Sequence, residues 1–189
     1  MPTGYPGIML DVVEILRKEQ PKKILEIGTG FGKWGVLIRE YLEVYGQNKW
    51  KPSERFVTID AIEVYEPYIS PLHKYIYNNI TIGDIGDLAP TLPKYDAIIM
   101  FDVLEHLQKR QAEQTLKTLM EKTNLFLLSV PLGKEALYHF DGENEKESHV
   151  SAWEYAELKD YPNCVFHKMY DNRPVNIGLF AYTPGLNSK

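Results

Sequence analysis

A chain of 189 residues, 44% of them hydrophobic, supports one well-buried core and is short for two enzymatic domains, so a single domain over residues 1–189 is expected. Its 26 acidic residues outnumber the 21 basic ones, and the resulting formal charge of −5 gathers no phosphates, which disfavours nucleic acid as a partner. The lone Cys164 rules out an internal disulfide and cysteine-rich zinc patterns. With a start that lacks a basic, apolar leader and no apolar run of membrane-spanning length, a cytoplasmic protein without membrane contact is expected.

Met9, Val12, Val13 and Leu16 recur at helical spacing before Pro21, which predicts an N-terminal helix within residues 1–20. Ile24–Ile27 is an apolar strand that breaks at Gly28, Gly30 and Gly32, and the stripe Trp34, Leu37, Ile38, Tyr41, Leu42, Tyr45 then defines a second helix. Glycines suit a loop in which a ligand lies against main-chain N–H groups, because no Cβ intrudes. The polar segment Gly46–Glu54 reads as a loop, Arg55–Val64 as a second strand and Tyr75–Ile82 as a weaker third. Asp84–Lys94 is read as a loop punctuated by Gly86, Pro90 and Pro93.

Ala97–Phe101 is apolar throughout, as a central parallel strand covered on both faces should be. A helix follows from Gln108 on the stripe Ala112, Leu116, Leu119, Met120, and Asn124–Val130 makes a fifth strand closed by Pro131. Beyond it, Gly133–Ser148 is charged and irregular, Ala152–Leu158 suits a short helix, and Cys164–Tyr170 with Asn176–Thr183 reads as a closing strand pair; Gly185–Lys189 is expected to fray. The alternation predicts an α/β fold with a doubly wound, mostly parallel sheet and helices on both faces, in which ligands bind beyond the carboxyl ends of the strands.

The order Glu26-x-Gly28-x-Gly30-x-Gly32, an acidic residue ending the second strand, Gly83-Asp84-Ile85, and Tyr95 through Asp102-Val103-Leu104-Glu105-His106-Leu107 resembles the class I S-adenosylmethionine-dependent methyltransferases. The resemblance spans most of the chain and implies their seven-stranded Rossmann-like fold, with an antiparallel C-terminal strand pair, and S-adenosylmethionine as the cofactor. It also implies roles for the residues that carry it. The glycine loop holds the methionine end of the cofactor and Glu26 organises that loop and the amino group. Asp84 accepts from the adenine amine, Ile85 packs on the ring, and Asp102 closes the cofactor site after the fourth strand. For the ribose hydroxyls, a carboxylate that accepts twice is needed; Glu63 is preferred and Asp60 is the alternative, because strand ends are uncertain by a few residues.

Taken singly, Glu63 and Asp84 read equally well as solvated loop carboxylates, and it is the order of all four elements that carries weight. Gly30-x-Gly32-x-x-Gly35 also satisfies the dinucleotide fingerprint, but it begins two residues after the strand has ended and finds no acidic partner about 20 positions on, so an NAD-binding protein is the minor reading. A cofactor-binding module without turnover is the alternative from outside enzymology.

Methyl transfer needs alignment and exclusion of water more than acid–base machinery, yet a hydroxyl acceptor profits from a base, for which His106 and His149 are the candidates. For His106, just past the fourth strand, a helix-cap or packing role is the reading preferred to catalysis. The segment 133–150 is either a substrate lid or a solvated loop, with Tyr138, His139 and Phe140 as wall or anchor. Asp102, Glu105 and His106, joined by His149, resemble the metal-binding variant of the family, but aspartate stands where that variant has glutamate, and no metal is expected. The chain lacks the Asn/Asp-Pro-Pro-aromatic turn of nucleobase amine transfer, and Cys164 is misplaced for cytosine C5 chemistry, so it is read as a small buried residue. A small-molecule or carbohydrate-type acceptor, methylated on O or N, is the expected partner. Thirteen tyrosines fit an interface as well as a pocket, so composition leaves the oligomeric state open.

Overall fold

The computed structural model describes residues 3–184; the expected frayed tail Gly185–Lys189 lies outside them. Seven strands form one sheet: β1 (Lys23–Ile27), β2 (Thr58–Glu63), β3 (Asn79–Ile82), β4 (Tyr95–Phe101), β5 (Thr123–Pro131), β6 (Cys164–Tyr170) and β7 (Ile177–Tyr182). Their order is β3-β2-β1-β4-β5-β7-β6. The first five strands run parallel, and β7 inserts antiparallel between β5 and β6. From β1 the chain winds outward through β2 and β3, then crosses to β4 and β5 on the other side. The gap between β1 and β4 is therefore the topological switch point, where an open α/β sheet leaves a crevice.

Helices α1 (Met9–Glu19), α2 (Lys33–Arg39), α3 (Pro71–Ile76), α4 (Ile85–Leu88), α5 (Lys109–Met120) and α6 (Tyr155–Lys159) cover the sheet. Successive side chains of a strand point to opposite faces, and the two cores follow that alternation. Leu25, Ile27, Ile98, Met100, Phe126 and Leu128 pack with α5 residues Ala112, Leu116 and Leu119. Ile24, Ile59, Ile99 and Leu127 pack on the other side with Val12, Leu16, Trp34 and Ile38. Both faces of β4 are covered, as its unbroken apolar run requires. Among the described residues, no helix is long and apolar enough to cross a membrane.

Three expectations need correction. Residues 75–82 are not one strand: α3 occupies Pro71–Ile76 and only Asn79–Ile82 is extended. The residue pair Ser70-Pro71, an N-cap followed by proline at the first helical position, was the missed signal. The 84–94 stretch is not a plain loop, because Asp84 caps α4 through its side chain on the Gly86 N–H, and a 3-10 turn follows at Ala89–Thr91. The second strand is shorter than Arg55–Val64; its forerun Phe56-Val57 instead gives both N–H groups to Oε1 of Glu43 at 2.8 Å. Glu43 sits in a π-helical turn, Glu40–Val44, that continues α2, and it is buried with Arg39 as an ion pair at 3.0 Å.

Candidate functional site

At the carboxyl ends of β1, β2 and β4 lies a cavity of about 470 Å³. Its first wall is the turn after β1. Gly28 has φ +75° and gives its N–H to the Ile62 carbonyl at 2.9 Å, so the turn is stitched to β2. A Cβ at Gly28 would run into the Val103 side chain in a backbone conformation that already disfavours it. Gly28→Ala is therefore expected to lower the thermal midpoint, at a cost of about 1–2 kcal/mol; an unchanged melt would refute the close approach.

Glu63, the last residue of β2, is the buried post on which this loop hangs. Its Oε2 accepts from Gly30 N at 3.0 Å and from the Thr29 hydroxyl at 3.1 Å, and its Oε1 accepts from Tyr65 N at 3.1 Å. From the opposite side, α3 clamps the loop. His73 Nδ1 accepts from Ser70 N at 3.2 Å, so the proton sits on Nε2, which donates to the Gly30 carbonyl at 3.0 Å. Tyr77, just past the same helix, donates its hydroxyl to Glu26 Oε2 at 2.7 Å. His73 and Tyr77 were not read as functional, because the helix that carries them was not recognised.

Of the residues expected to bind cofactor, Gly28, Gly30, Glu63, Asp84, Ile85 and Asp102 line the cavity, while Glu26 and Gly32 stand behind its wall. Gly32 is the left-handed N-cap of α2, at φ +86°. Glu26 is 1% exposed, and its Oε1 has no hydrogen-bond partner among the described residues. Burial pushes its carboxyl up to about 8, with the Glu63 charge adding to the rise and the Tyr77 bond opposing it. Asp60, the alternative to Glu63, is in mid-strand and accepts instead from Asn79 Nδ2 at 2.7 Å and the Tyr95 hydroxyl at 3.1 Å.

Asp102 follows β4 with φ +53°. Its carboxylate accepts from the Ser129 hydroxyl at 2.9 Å and from Tyr5 N at 3.2 Å, while burial raises its pKa. Lys33 Nζ donates to the Gly4 carbonyl at 2.6 Å, and with the Tyr5 bond it ties residues 3–6 across the mouth of the cavity. Nothing in the sequence marked that strap, since its partners are 29 and 97 residues away.

The segment after β5 closes the remaining side. Lys146 Nζ reaches Asp84 Oδ2 at 3.0 Å, and the Tyr68 hydroxyl donates to Glu147 at 2.8 Å. The Glu105 carbonyl accepts from Val150 N and Ser151 N at 2.8 and 3.1 Å. Within 133–150, Asn144 and Ser148 are buried, whereas Tyr138 is 43% exposed and aligns its backbone with that of His149.

His106 and His149 meet edge to face, with ring centroids 4.8 Å apart. Each spends Nδ1–H on a backbone carbonyl, His106 on Ser148 at 3.0 Å and His149 on Ala136 at 2.8 Å. In the neutral ring this leaves Nε2 as the lone-pair atom. Burial, reinforced by His106, holds His149 down at about 4, so its ring is neutral at pH 7. Beside them sits Glu105, completely buried, with neither carboxylate oxygen hydrogen-bonded among the described residues. Burial drives its pKa well above the carboxylate range, and the Asp102 charge adds to the rise. One ligand-type atom from each of Glu105, His106 and His149 lies within 4.8 Å of the other two. Cys164, expected to be buried, is partly exposed at the start of β6.

The fold and this crevice define a Rossmann-like, nucleotide-type binding protein of the class I S-adenosylmethionine-dependent methyltransferase architecture. Residues 6–167 match the family model described as a methyltransferase domain, and the chain belongs to that family. No curated protein matches it at a significant level. Among solved structures, it is similar to TehB from Haemophilus influenzae, with 17% identity, a TM-score of 0.64 and 95% of this chain covered; it spans 62% of the TehB chain. PH0226 from Pyrococcus horikoshii OT3 is 16% identical, with TM-score 0.64 and 94% and 88% of the two chains covered. The N-terminal domain of EvdMO1, solved with SAH bound, is 15% identical, with TM-score 0.62 and 93% and 80% covered.

Proposed function

We propose that the chain transfers a methyl group from S-adenosylmethionine to an O or N atom of a small-molecule or carbohydrate-type acceptor. One observation carries the reading: a single cavity is lined by the glycine turn, Glu63, Asp84-Ile85, His106 and His149. SAH is bound in the EvdMO1 domain and in DhpI, two proteins of this fold. When bound, the cofactor supplies an electrophilic methyl on a sulfonium. The residues of this chain do the rest.

The Gly28–Gly30 turn seats the methionyl part against its main chain, and Glu63 holds the two ribose hydroxyls. Asp84 accepts from the adenine amine and Ile85 covers the ring. Asp102 fixes the floor after β4, while Glu26, held by Tyr77, supports the strand that leads into the loop. The strap at residues 3–6 and the 133–150 segment exclude water and serve as the lid. His106 and His149 present Nε2 lone pairs to the acceptor, and accept a proton or a hydrogen bond from it. No nucleic acid or membrane partner is proposed.

Titration calorimetry with S-adenosylhomocysteine tests the binding half: saturation is expected, and NAD binding in its place would sink the proposal. Release of S-adenosylhomocysteine over a broad acceptor panel tests turnover. Tight binding with persistent silence would mean a cofactor-binding module. Asp84→Ala is expected to weaken binding by about 1–3 kcal/mol, the range for a buried hydrogen bond lost to a carboxylate. Wild-type affinity in that variant would refute the adenine role.

A further inference from the structure

We propose that Lys33 holds the carboxylate at the methionyl end of the cofactor and, through the Gly4 carbonyl, couples it to the strap at residues 3–6, so that cofactor binding fastens the strap over the cavity. This role of Lys33 rests on the methyltransferase reading of the cavity.

The methionyl end, seated by the Gly28–Gly30 turn, carries an α-carboxylate, and a carboxylate taken out of water requires cationic or N–H partners. Among the described residues, two lysines line the cavity, Lys33 and Lys146. Lys146 is paired with Asp84 at 3.0 Å. Lys33 donates instead to a backbone carbonyl, that of Gly4 at 2.6 Å, and an ammonium has three donors. The turn itself fixes where this lysine stands. Gly32 N donates to the Thr29 carbonyl at 2.8 Å, so the chain folds back and Lys33 opens α2 directly after the loop that seats the methionyl part. Burial lowers the Lys33 pKa, and the charges of Asp102 and Glu26 oppose the fall. A ligand carboxylate compensates such a half-buried ammonium more fully than a carbonyl does.

The same ammonium fastens the strap, whose main chain is tied at two neighbouring points. The Gly4 carbonyl accepts from Lys33, and Tyr5 N donates to Asp102 at 3.2 Å. A Cβ at Gly4 would strike the Asp102 carboxylate, so the strap packs directly against the residue that follows β4. Thr3 is exposed and Gly4 and Tyr5 are only partly covered, and a segment with so few buried contacts opens at low free energy. The lysine stem is four flexible carbons long. A carboxylate on its ammonium holds that stem in place, and with it the donor on which Gly4 depends. Such coupling is reciprocal: a ligand that steadies the strap is itself bound more tightly for it.

Calorimetry compares wild type with Lys33→Met toward S-adenosylhomocysteine and toward 5′-methylthioadenosine, which has the adenosine and the thioether but no amino-acid end. The variant is expected to bind S-adenosylhomocysteine at least about tenfold more weakly, and 5′-methylthioadenosine within about twofold of wild type. Hydrogen exchange at the Tyr5 amide follows the strap. Saturating S-adenosylhomocysteine should slow it in wild type well beyond saturating 5′-methylthioadenosine, and that difference should vanish in Lys33→Met. The wild-type comparison depends on no variant. Equal losses for the two ligands, unchanged affinity for S-adenosylhomocysteine, or the same Tyr5 exchange with both ligands in wild type would each overturn the role of Lys33 and leave the cofactor reading intact. No binding of S-adenosylhomocysteine by wild type would instead remove that reading, and the role of Lys33 with it.

Discussion

Glu63→Ala is expected to weaken S-adenosylhomocysteine binding by about 100-fold, or about 3 kcal/mol. A carboxylate offers about four lone-pair sites. Three donors occupy them now: Gly30 N, the Thr29 hydroxyl and Tyr65 N. A ribose diol that displaces the Thr29 hydroxyl finds two sites, one on each carboxylate oxygen. Removing the side chain thus deletes both bonds to the ligand and also frees the glycine turn. The matched control is Asp60→Ala, whose carboxylate is committed to Asn79 and Tyr95 and does not line the cavity. Calorimetry should find its affinity within about threefold of wild type. A loss in Asp60→Ala with none in Glu63→Ala would reverse the assignment.

Glu26→Gln is expected to stabilise the protein at pH 8, by an amount on the order of 3–5 kcal/mol, and to change little at pH 4.5. In the folded state burial holds the Glu26 carboxyl up at about 8, against an ordinary 4.5. Between those values the folded chain keeps a proton that the unfolded chain has released. More protons bound to the folded state means that stability falls as pH rises through this window. The full contribution is present below the unfolded value and gone above the folded one. Glutamine carries no such proton, and its amide oxygen still accepts from Tyr77. Urea unfolding at pH 4.5 and pH 8 measures the difference. Parallel stability profiles for the two proteins would show that Glu26 does not titrate this way.

Much of the site was legible because strand ends are local events. An apolar run that stops at Gly28 or at Asp102 tells where the backbone leaves the sheet, and a parallel sheet sends such ends to one edge. That logic reached Glu63 and preferred it to Asp60, which the structure leaves in mid-strand. Glu26 has the family's spacing too, and the structure buries it in the packed interior under the loop. Spacing along a strand gives order, while the side a carboxylate faces depends on the helix laid against it. Here that helix is α3, whose start the sequence announced at Ser70-Pro71; its His73 clamps the loop at Gly30, and Tyr77 just past its end holds Glu26.

Alone, the sequence determined the alternation of strand and helix, the glycine turn and the acidic strand ends, since these depend on periodicity and on the backbone freedom of single residues. Tertiary structure decided which groups share a cavity. It brought Ser148 to His106 across 42 residues and Lys146 to Asp84 across 62, and buried the Glu105 carboxyl completely beside His149. Such contacts come from the docking of whole elements, whose burial and directions no local pattern encodes.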